Sequence, residues 1–267
     1  MLINASTIVL TAPDANAPLF AAHNLVAVSN VSASSTTDAD FPVTNLGNPN
    51  TNLRWQASAS GARTITVAHS YAGLCDYVGI AGHNFGTAGI TVSIVAVNPD
   101  TSTTVLIPPF QPADNTPILL RFDPRIMTSV QIGLGAGSAA ARMAVLYTGK
   151  MVVSERRVYV GHTPITMGRA TKVVSGRSEN GNFLGRIITQ ESVSSEIKLQ
   201  NLHAAWYRTY FDPFLRSVAG APFFFAWRPA SYPTEVGFVW LTGDPRPMNA
   251  KSNGMMDVDL SFAGIIA

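Results

Sequence analysis

Residues 77–97 read YVGIAGHNFGTAGITVSIVAV, and this stretch decides the fold. It contains two short apolar runs, 77–81 and 90–97, separated by a loop with three glycines. The runs are rich in β-branched residues and have the length of strands, whereas a helix would need apolar residues three or four positions apart over a longer segment. The stretch therefore predicts two β-strands joined by a loop.

The same pattern extends in both directions through the first 150 residues. Short β-prone runs alternate with polar loops of Gly, Pro, Asn, Asp and Ser, and helical periodicity is nearly absent. Eight strands are predicted, at 25–28, 64–67, 77–81, 90–97, 105–107, 118–122, 129–134 and 143–148. This number and spacing predict a jelly-roll-like β-sandwich as an N-terminal domain, residues 1–150.

The composition changes after residue 150. Residues 1–150 contain six Lys and Arg against seven Asp and Glu, whereas residues 151–267 contain twelve against nine, so the net charge changes from −1 to +3. Strands are predicted again at 222–227, 236–241 and 256–262. In the last of these, Met256, Val258, Leu260 and Phe262 alternate with polar residues and should face inward. Residues 151–267 therefore form a predicted second, β-rich domain.

One helical segment is predicted inside the second domain, at about 196–218. Its apolar residues recur every three or four positions: Leu199, Leu202, Trp206, Tyr210, Phe214 and Val218. Asp212 followed by Pro213 has the pattern of an N-cap and a first helical position, which predicts a break into two helices. The fold class is accordingly mainly β: a jelly-roll-like sandwich plus a C-terminal β-rich domain with an embedded helical segment.

The composition limits the classes of function. Charged residues make up 13% of the chain, about half the roughly 25% of an average soluble domain, and the net charge is +2. No long run of Lys or Arg is present, which argues against a nucleic-acid partner. The lone Cys75 argues against an internal disulfide or a multi-cysteine metal site. The N-terminal residues lack the apolar run of a signal peptide or membrane span, so we expect folding in a cytoplasm without membrane insertion.

No residue pattern predicts catalysis. The five histidines lack metal-ligand spacing, and no nucleophile motif occurs. Gly135, Gly137 and Ala140 match a dinucleotide-binding fingerprint, but they lie among predicted strands without βαβ units, so a glycine-rich hairpin loop is preferred. We expect no catalytic residue, no metal and no cofactor, and a hydrolase stays a minor alternative.

Four residues near one end of the first domain predict a shallow carbohydrate site. Arg54 and Trp55 lie in one loop, and His83 and Asn84 begin another. Aromatic stacking combined with amide hydrogen bonds is the chemistry of such sites. For His83 and Asn84 the alternative is a turn with a hydrogen-bonded histidine.

The aromatic residues of the second domain predict an interface. Three consecutive phenylalanines at 223–225 place rings on both faces of a strand, so the outer face must be covered by the helix or by another subunit. We therefore predict a homo-oligomer. The candidate interface residues are Trp206, Tyr210, Phe223, Phe224, Phe225 and Trp227.

Four segments of the first domain carry a resemblance to a known family. They are FPVTNL at 41–46, NLRWQAS at 52–58, RTITV at 63–67 and DYVGIAGHN at 76–84. These segments resemble the discoidin, or galactose-binding-like, domains, in which an Asn-Leu turn, a tryptophan and an apolar strand follow one another. The resemblance covers about residues 20–150. It implies a jelly-roll sandwich, and such domains often bind glycans through rim loops.

The second domain resembles another family, on GNFL at 181–184, the helix at 202–211, APFFFAWRP at 221–229 and VDLSF at 258–262. This pattern is similar to minor tail proteins of long-tailed bacteriophages, which form the ring that joins tail tube to tail tip. The resemblance implies a ring-forming domain, with the first domain at its periphery.

These observations lead to two hypotheses. The first is a non-enzymatic structural component of a phage tail tip or baseplate. It would form a homo-oligomeric ring of three or six copies between tail-tube and tail-hub proteins, and would be located in the virion after synthesis in the bacterial cytoplasm. The alternative is a carbohydrate-binding module that contacts a glycan of the host cell envelope.

Overall fold

A computed structural model of the chain describes residues 1–8, 14–35, 37–158, 160–249 and 254–265. The chain is mainly β, as the sequence predicts. Its strands are β1 (Leu2–Asn4), β2 (Leu19–Ala21), β3 (Val31–Ala33), β4 (Trp55–Gln56), β5 (Arg63–Ala68), β6 (Cys75–Ala81), β7 (Val92–Val97), β8 (Thr103–Phe110), β9 (Ile118–Arg125), β10 (Ser129–Leu134), β11 (Arg142–Met143), β12 (Val145–Gly149), β13 (Val152–Val153), β14 (Arg169–Arg177), β15 (Phe183–Leu202), β16 (Phe223–Ala226), β17 (Val236–Leu241) and β18 (Met256–Ile265).

The helical structure is short. The α-helices are α1 (Phe85–Ala88), α2 (Ala204–Trp206) and α3 (Asp212–Ser217), and a π-helical turn, Tyr207–Phe211, joins α2 to α3. Two 3₁₀ turns lie at Asp14–Asn16 and Val43–Gly47. In the described ranges, no helix is long and apolar enough to cross a membrane.

Two sheets of the first half form a β-sandwich. One has the strand order β1-β9-β6-β12 and the other has the order β3-β5-β10-β7-β8. Their facing side chains form one apolar core, in which Val78 and Ile80 of β6 contribute opposite Ile94 of β7. Along β7, buried residues alternate with half-buried ones, so the five-stranded sheet has one solvated face.

The third sheet has seven strands in the order β13-β2-β16-β17-β18-β15-β14. One of its faces carries the helical segment, where Phe211 and Phe214 pack against Phe20 and Phe223. The other face packs on the four-stranded sheet, where the ring of Phe224 lies 5.6 Å from that of Tyr147. Among the described residues, these three sheets and the helical segment therefore form four layers, and the four-stranded sheet is covered on both sides. A further two-stranded sheet consists of β11 and β4.

Strand β6 shows why the sequence folds this way. All seven of its residues are buried, because alternate side chains enter two different cores: Val78 and Ile80 one, Tyr77 and Ala81 the other. Gly79 lies on the second face, where an added Cβ would come within 2.6 Å of the Phe224 ring. The glycine therefore allows the close approach of the seven-stranded sheet.

The predicted helix at 196–218 is only partly correct. Residues up to Leu202 belong to β15, because Val193, Ser195, Ile197 and Leu199 are buried at every second position and the strand pairs with β18. The predicted break is correct in part. A separate helix, α3, begins at Asp212 with Pro213 in its first turn, but it follows the π turn Tyr207–Phe211 without a gap. Asp212 has helical dihedral angles and is no N-cap, and Pro213 lacks the N–H that an α-helical hydrogen bond to the preceding turn would need.

The other strand predictions vary in success. Residues 25–28 form no strand, and the predicted strand at 143–148 is divided between β11 and β12. The alternation of β18 is confirmed, with Met256, Val258, Leu260 and Phe262 buried. The division into domains at residue 150 stays a prediction, and β2 lies within the sheet that the C-terminal strands build.

Candidate functional site

Strands β14 and β15 form a long hairpin at one edge of the seven-stranded sheet; "the hairpin" below means residues 169–193. β14 pairs with β15 and with no other described strand. The turn is closed by hydrogen bonds from the Gly181 N–H to the Ser178 carbonyl and from the Ser178 N–H to the Asn182 carbonyl, both 2.9 Å. Gly181 has a φ of +79°, which suits glycine. The sequence Asn180-Gly181 between β-branched runs accounts for this turn.

The distal part of the hairpin is exposed on both faces. Val173 pairs with Ile188, and the next pair along the strands, Val174 with Ile187, points to the opposite face. Ile187, Ile188 and Val174 are between 54% and 69% exposed. Phe183 at the start of β15 is also 69% exposed. From Val193 onward β15 returns to alternating burial, so the strand changes from a sheet member to a projecting arm.

This arrangement indicates a protein-binding surface. A two-stranded hairpin is at best marginally stable in water by itself, and here apolar side chains lie on both of its faces. Its outer strand, β14, also presents unpaired backbone N–H and C=O groups, which can pair with another chain. The hairpin carries Arg169, Lys172, Arg177 and Arg186 against Glu179 and Glu191, a net charge of +2.

The residues predicted to bind a sugar are mostly structural. Trp55 is fully buried in the sandwich core, so it is not a stacking platform, because neither face of its ring is open to a ligand. The Arg54 guanidinium lies 4.1 Å from the centre of the Phe41 ring, and a ligand role for Arg54 stays a prediction.

His83 and Asn84 match the structural alternative. The Phe85 N–H donates to His83 Nδ1 (3.2 Å), so Nε2 carries the proton that is donated to the Thr116 carbonyl (2.9 Å). Burial lowers the pKa of His83 to about 4. Asn84 donates to the Ala140 carbonyl (2.9 Å) and accepts from the Arg142 N–H (3.0 Å). These contacts hold three loops together and leave both side chains buried.

The predicted interface is corrected in part. The rings of residues 223–225 are all buried within the chain, because the helical segment covers one face of β16 and the four-stranded sheet covers the other. Trp206 is half-buried and stacks on Phe211, and Trp227 is half-buried with its Nε1 bonded to Glu235. Tyr210 is exposed and stays a candidate. The hairpin is not among the elements predicted from the sequence, although Asn180-Gly181 is a hairpin-turn signal.

A second surface is a cleft beside Trp240, called here the Trp240 cleft. It has a volume of about 410 Å³ and lies where the loop at 49–51, the end of the helical segment and β17 meet. The Trp240 side chain is 40% exposed in it. The lining residues are mostly apolar or small: Pro49, Asn50, Thr51, Val218, Ala219, Gly220, Ala221, Pro222, Phe238, Trp240 and Leu241.

A third surface is a polar groove on the solvated face of the five-stranded sheet, with a volume of about 350 Å³. Gly133 forms its floor between Thr64 and Ser93, which it pairs with on the two neighbouring strands. An added Cβ at Gly133 would lie 2.5 Å from the Ser93 Oγ, so the glycine keeps the groove open. The guanidinium of Arg63 and the hydroxyl of Ser34 complete a set of hydrogen-bonding groups.

Two further buried titratable groups, Cys75 and Asp76, lie on β6. In the part of the chain that the structure describes, no group of three or more His, Cys, Asp or Glu could bind a metal ion. Cys75 is buried, and burial raises the pKa of its thiol to about 11, which disfavours the thiolate. Asp76 is paired with Lys150 and accepts from the Met151 N–H (2.8 Å), so it attaches the segment after β12 to the sandwich.

Comparison with known proteins gives structural similarities alone. No protein-family profile matches the chain, and no curated protein matches it. A solved structure of chitosan-binding module 1 from a chitosanase/glucanase of Paenibacillus sp. IK-5 is 18% identical, covering 48% of this chain and 99% of that one (TM-score 0.41). The family 32 carbohydrate-binding module of C. perfringens NanJ, in complex with galactose, is 19% identical, covering 49% and 99% (TM-score 0.40).

A larger protein is also similar. The GH29 fucosidase of Ruminococcus gnavus, in complex with fucose, is 15% identical, covering 49% of this chain and 27% of that one (TM-score 0.41). Solved structures similar to this chain thus include carbohydrate-binding modules. The similarities extend over about half of the chain, at TM-scores too low to transfer a ligand or an activity.

Proposed function

We propose that the protein is a non-enzymatic structural subunit that assembles with further copies of itself through the hairpin. The observation that carries the proposal is the exposure of apolar side chains on both faces of the hairpin. A solvated strand pair would bear apolar residues on one face at most, because the other face would gain nothing from them. Burial by a neighbouring subunit gives both faces an apolar environment.

The finer form of the proposal is a ring in a phage tail tip or baseplate, between tail-tube and tail-hub proteins. Its support is the sequence resemblance of the second domain, together with a projecting arm suited to contacts between subunits. The proposal places the protein in the virion, and it needs no cofactor.

Hydrogen exchange of the full chain at two protein concentrations tests the assembly. The backbone amides of β14 should exchange rapidly at low concentration and slowly at high concentration, because association supplies partners for the open edge. The edge strand β8, which is not part of the hairpin, is the internal control and should not change. If complexes are present at the high concentration and the β14 amides still exchange as fast as at the low concentration, the copies associate through another surface.

Carbohydrate binding is the second candidate, and the polar groove favours it. Hydroxyl groups, a guanidinium and an open glycine floor can hydrogen-bond the hydroxyls of a sugar. The groove has no aromatic residue in its lining, so binding would be weak and polar. The groove differs from the site predicted around Trp55, because the Trp55 side chain is buried in the sandwich core.

Titration of the full chain with galactose and with GalNAc-β-1,3-galactose tests this candidate. Gly133→Ala should abolish binding, because its Cβ fills the floor of the groove and displaces the Ser93 hydroxyl, which would lie only 2.5 Å from it. Gly243→Ala is the matched control, since nothing lies within 4 Å of a Cβ there. Binding that survives Gly133→Ala would move the site elsewhere, and no binding at millimolar sugar would discard the candidate for these ligands.

A further inference from the structure

We infer that the hairpin tip, Phe183 and Leu184, inserts into the Trp240 cleft of a second copy of the chain. The inference rests on the proposed assembly function and specifies which surface receives the hairpin. In this contact, one patch of the molecule binds a different patch on the next copy.

The two surfaces are complementary in shape and polarity. The tip is a projection with two large apolar side chains that are 69% and 68% exposed. The Trp240 cleft is a concavity whose apolar contribution comes from Phe238, Trp240 and Leu241 of β17, with Pro222 beside them. A buried aromatic or aliphatic anchor in such a pocket is the usual centre of a protein interface.

The tip cannot occupy the cleft of its own chain. Trp240 pairs with Ala263, and Ala263 pairs with Ser194 of β15, so Ser194 lies two strand spacings, about 10 Å, from Trp240. Phe183 is eleven residues further along β15, which is about 35 Å at the rise of an extended strand. The tip therefore projects away from its own cleft.

Charge favours a second copy as the occupant. Arg177 pairs with Phe183 at the tip and Arg186 lies three residues beyond, with Glu179 in the turn between them. The sheet face that continues from Trp240 exposes Glu196 and Asp259, with Lys198 3.9 Å from Asp259, so these three residues have a net charge of −1. The hairpin, with a net charge of +2, would thus lie along a strip of opposite net charge on the neighbouring copy.

Contacts between two different patches generate a heterologous interface. Each copy then offers one tip and one cleft, and successive copies follow the same rotation. Such an interface produces a closed ring if the rotation closes, and a filament if it does not. A two-fold dimer can form through this contact only if each chain inserts its tip into the cleft of the other.

A mixing experiment tests the inference on the full chain. The tip variant carries Phe183→Ser and Leu184→Ser, and the cleft variant carries Trp240→Ser. Each alone should dissociate at least about tenfold more readily than wild type, because an anchor or its pocket is lost. Mixed in equal amounts, they should form a complex of two chains that grows no further, since one intact tip meets one intact cleft. Val105→Ser, at an exposed apolar residue of β8 outside both patches, should assemble like wild type.

Cross-linking supplies an independent readout. Leu184→Cys and the exposed cleft residue Ala219→Cys, placed in separate chains, should form a disulfide on mixing under mild oxidation. The native Cys75 is buried and should not compete. Ala219→Arg replaces Trp240→Ser as the cleft variant if the serine variant fails to fold by circular dichroism.

The outcomes separate the two proposals. Wild-type complexes that persist in both variants, without the cross-link, would overturn the docking of tip into cleft while the assembly function stands. If the wild-type chain is monomeric at every concentration, and the variants are monomeric alone and when mixed, both the docking of tip into cleft and the assembly function are overturned.

Discussion

Strand β6 and the distal part of β15 share one feature of sequence pattern but lie in opposite environments. Both carry apolar side chains on both faces, as Val78 and Tyr77 do in β6 and Ile188 and Ile187 do in β15. Every residue of β6 is buried because the chain itself supplies a sheet on either side. The distal part of β15 has no such cover from its own chain. In β6, apolar side chains on both faces coincide with burial of both faces, and we propose that a second chain supplies this burial for the hairpin.

The largest expected effect of a substitution comes from the covered region. Phe224 is fully buried between β16 and the four-stranded sheet, against Tyr147 and Phe238. Phe224→Ala should lower the free energy of unfolding by about 3–5 kcal/mol, because it removes buried area and leaves a cavity. Urea denaturation of the full chain measures this.

Phe183→Ala is the matched control for that prediction. The same change of side chain, in the exposed hairpin, should alter the free energy of unfolding at low protein concentration by about 0.5 kcal/mol or less. Comparable destabilisation by the two substitutions would mean that the hairpin is already packed within its own chain.

The two regions should also respond differently to acid: folding stability should depend on pH, whereas association through the hairpin should not. Burial lowers the pKa of His83, in the loop after β6, from 6.5 to about 4. Between these values the unfolded chain binds a proton that the folded chain does not. This contribution to stability is complete above pH 6.5 and is lost as the pH falls through about 4, and its size is about 3 kcal/mol.

Denaturation at pH 7, 5.5 and 4.5 measures this loss. His83→Gln keeps a donor for the Thr116 carbonyl and should flatten the pH dependence, although His162, whose pKa burial also lowers to about 4, keeps part of it. The hairpin contains no histidine, so association should change little between pH 7 and 5.5. An unchanged slope in His83→Gln would show that other groups cause the acid sensitivity.

The smallest expected effect on folding, with a clear effect on assembly, comes from the middle of the hairpin. Val174→Thr with Ile187→Thr keeps β-branched side chains and removes apolar surface from one face. The concentration for half-dissociation should rise about tenfold, equivalent to about 1.4 kcal/mol, while the melting temperature of the dilute chain stays within a few degrees. Val105→Thr in β8, at 63% exposure, is the matched control and should leave assembly unchanged. If the double variant and wild type associate equally, the hairpin face that carries Val174 and Ile187 is not part of the interface.

Much of the fold follows from local sequence pattern. The strands β7 and β18 were predictable because their burial has the period of a strand, and β6 because its apolar run is bounded by a glycine-rich loop. Strands β1, β2 and β13 have two or three residues each and depend on distant partners, such as Leu2 with Leu119, so no local pattern reveals them. Leu199 and Leu202 have helical spacing because a bulge shifts the register between them.

The candidate site was harder to predict for a different reason. Sequence shows that Trp55 and Phe224 are large and apolar, but not which part of the same chain covers them. Both proved to be core residues, whereas Ile187 and Phe183 proved exposed. Composition cannot separate these cases, because the difference lies in whether a covering layer exists. The topology of the sheets supplies that information.

The most direct test of the account is the mass of the full chain in solution, measured by light scattering after size exclusion over a wide range of concentrations. We expect a discrete complex of several copies that dissociates on dilution. The variant with Val174→Thr and Ile187→Thr should dissociate at a higher concentration than Val105→Thr. A chain that remains monomeric up to high concentration, with its hairpin exposed, would contradict the claim that the hairpin is buried between copies.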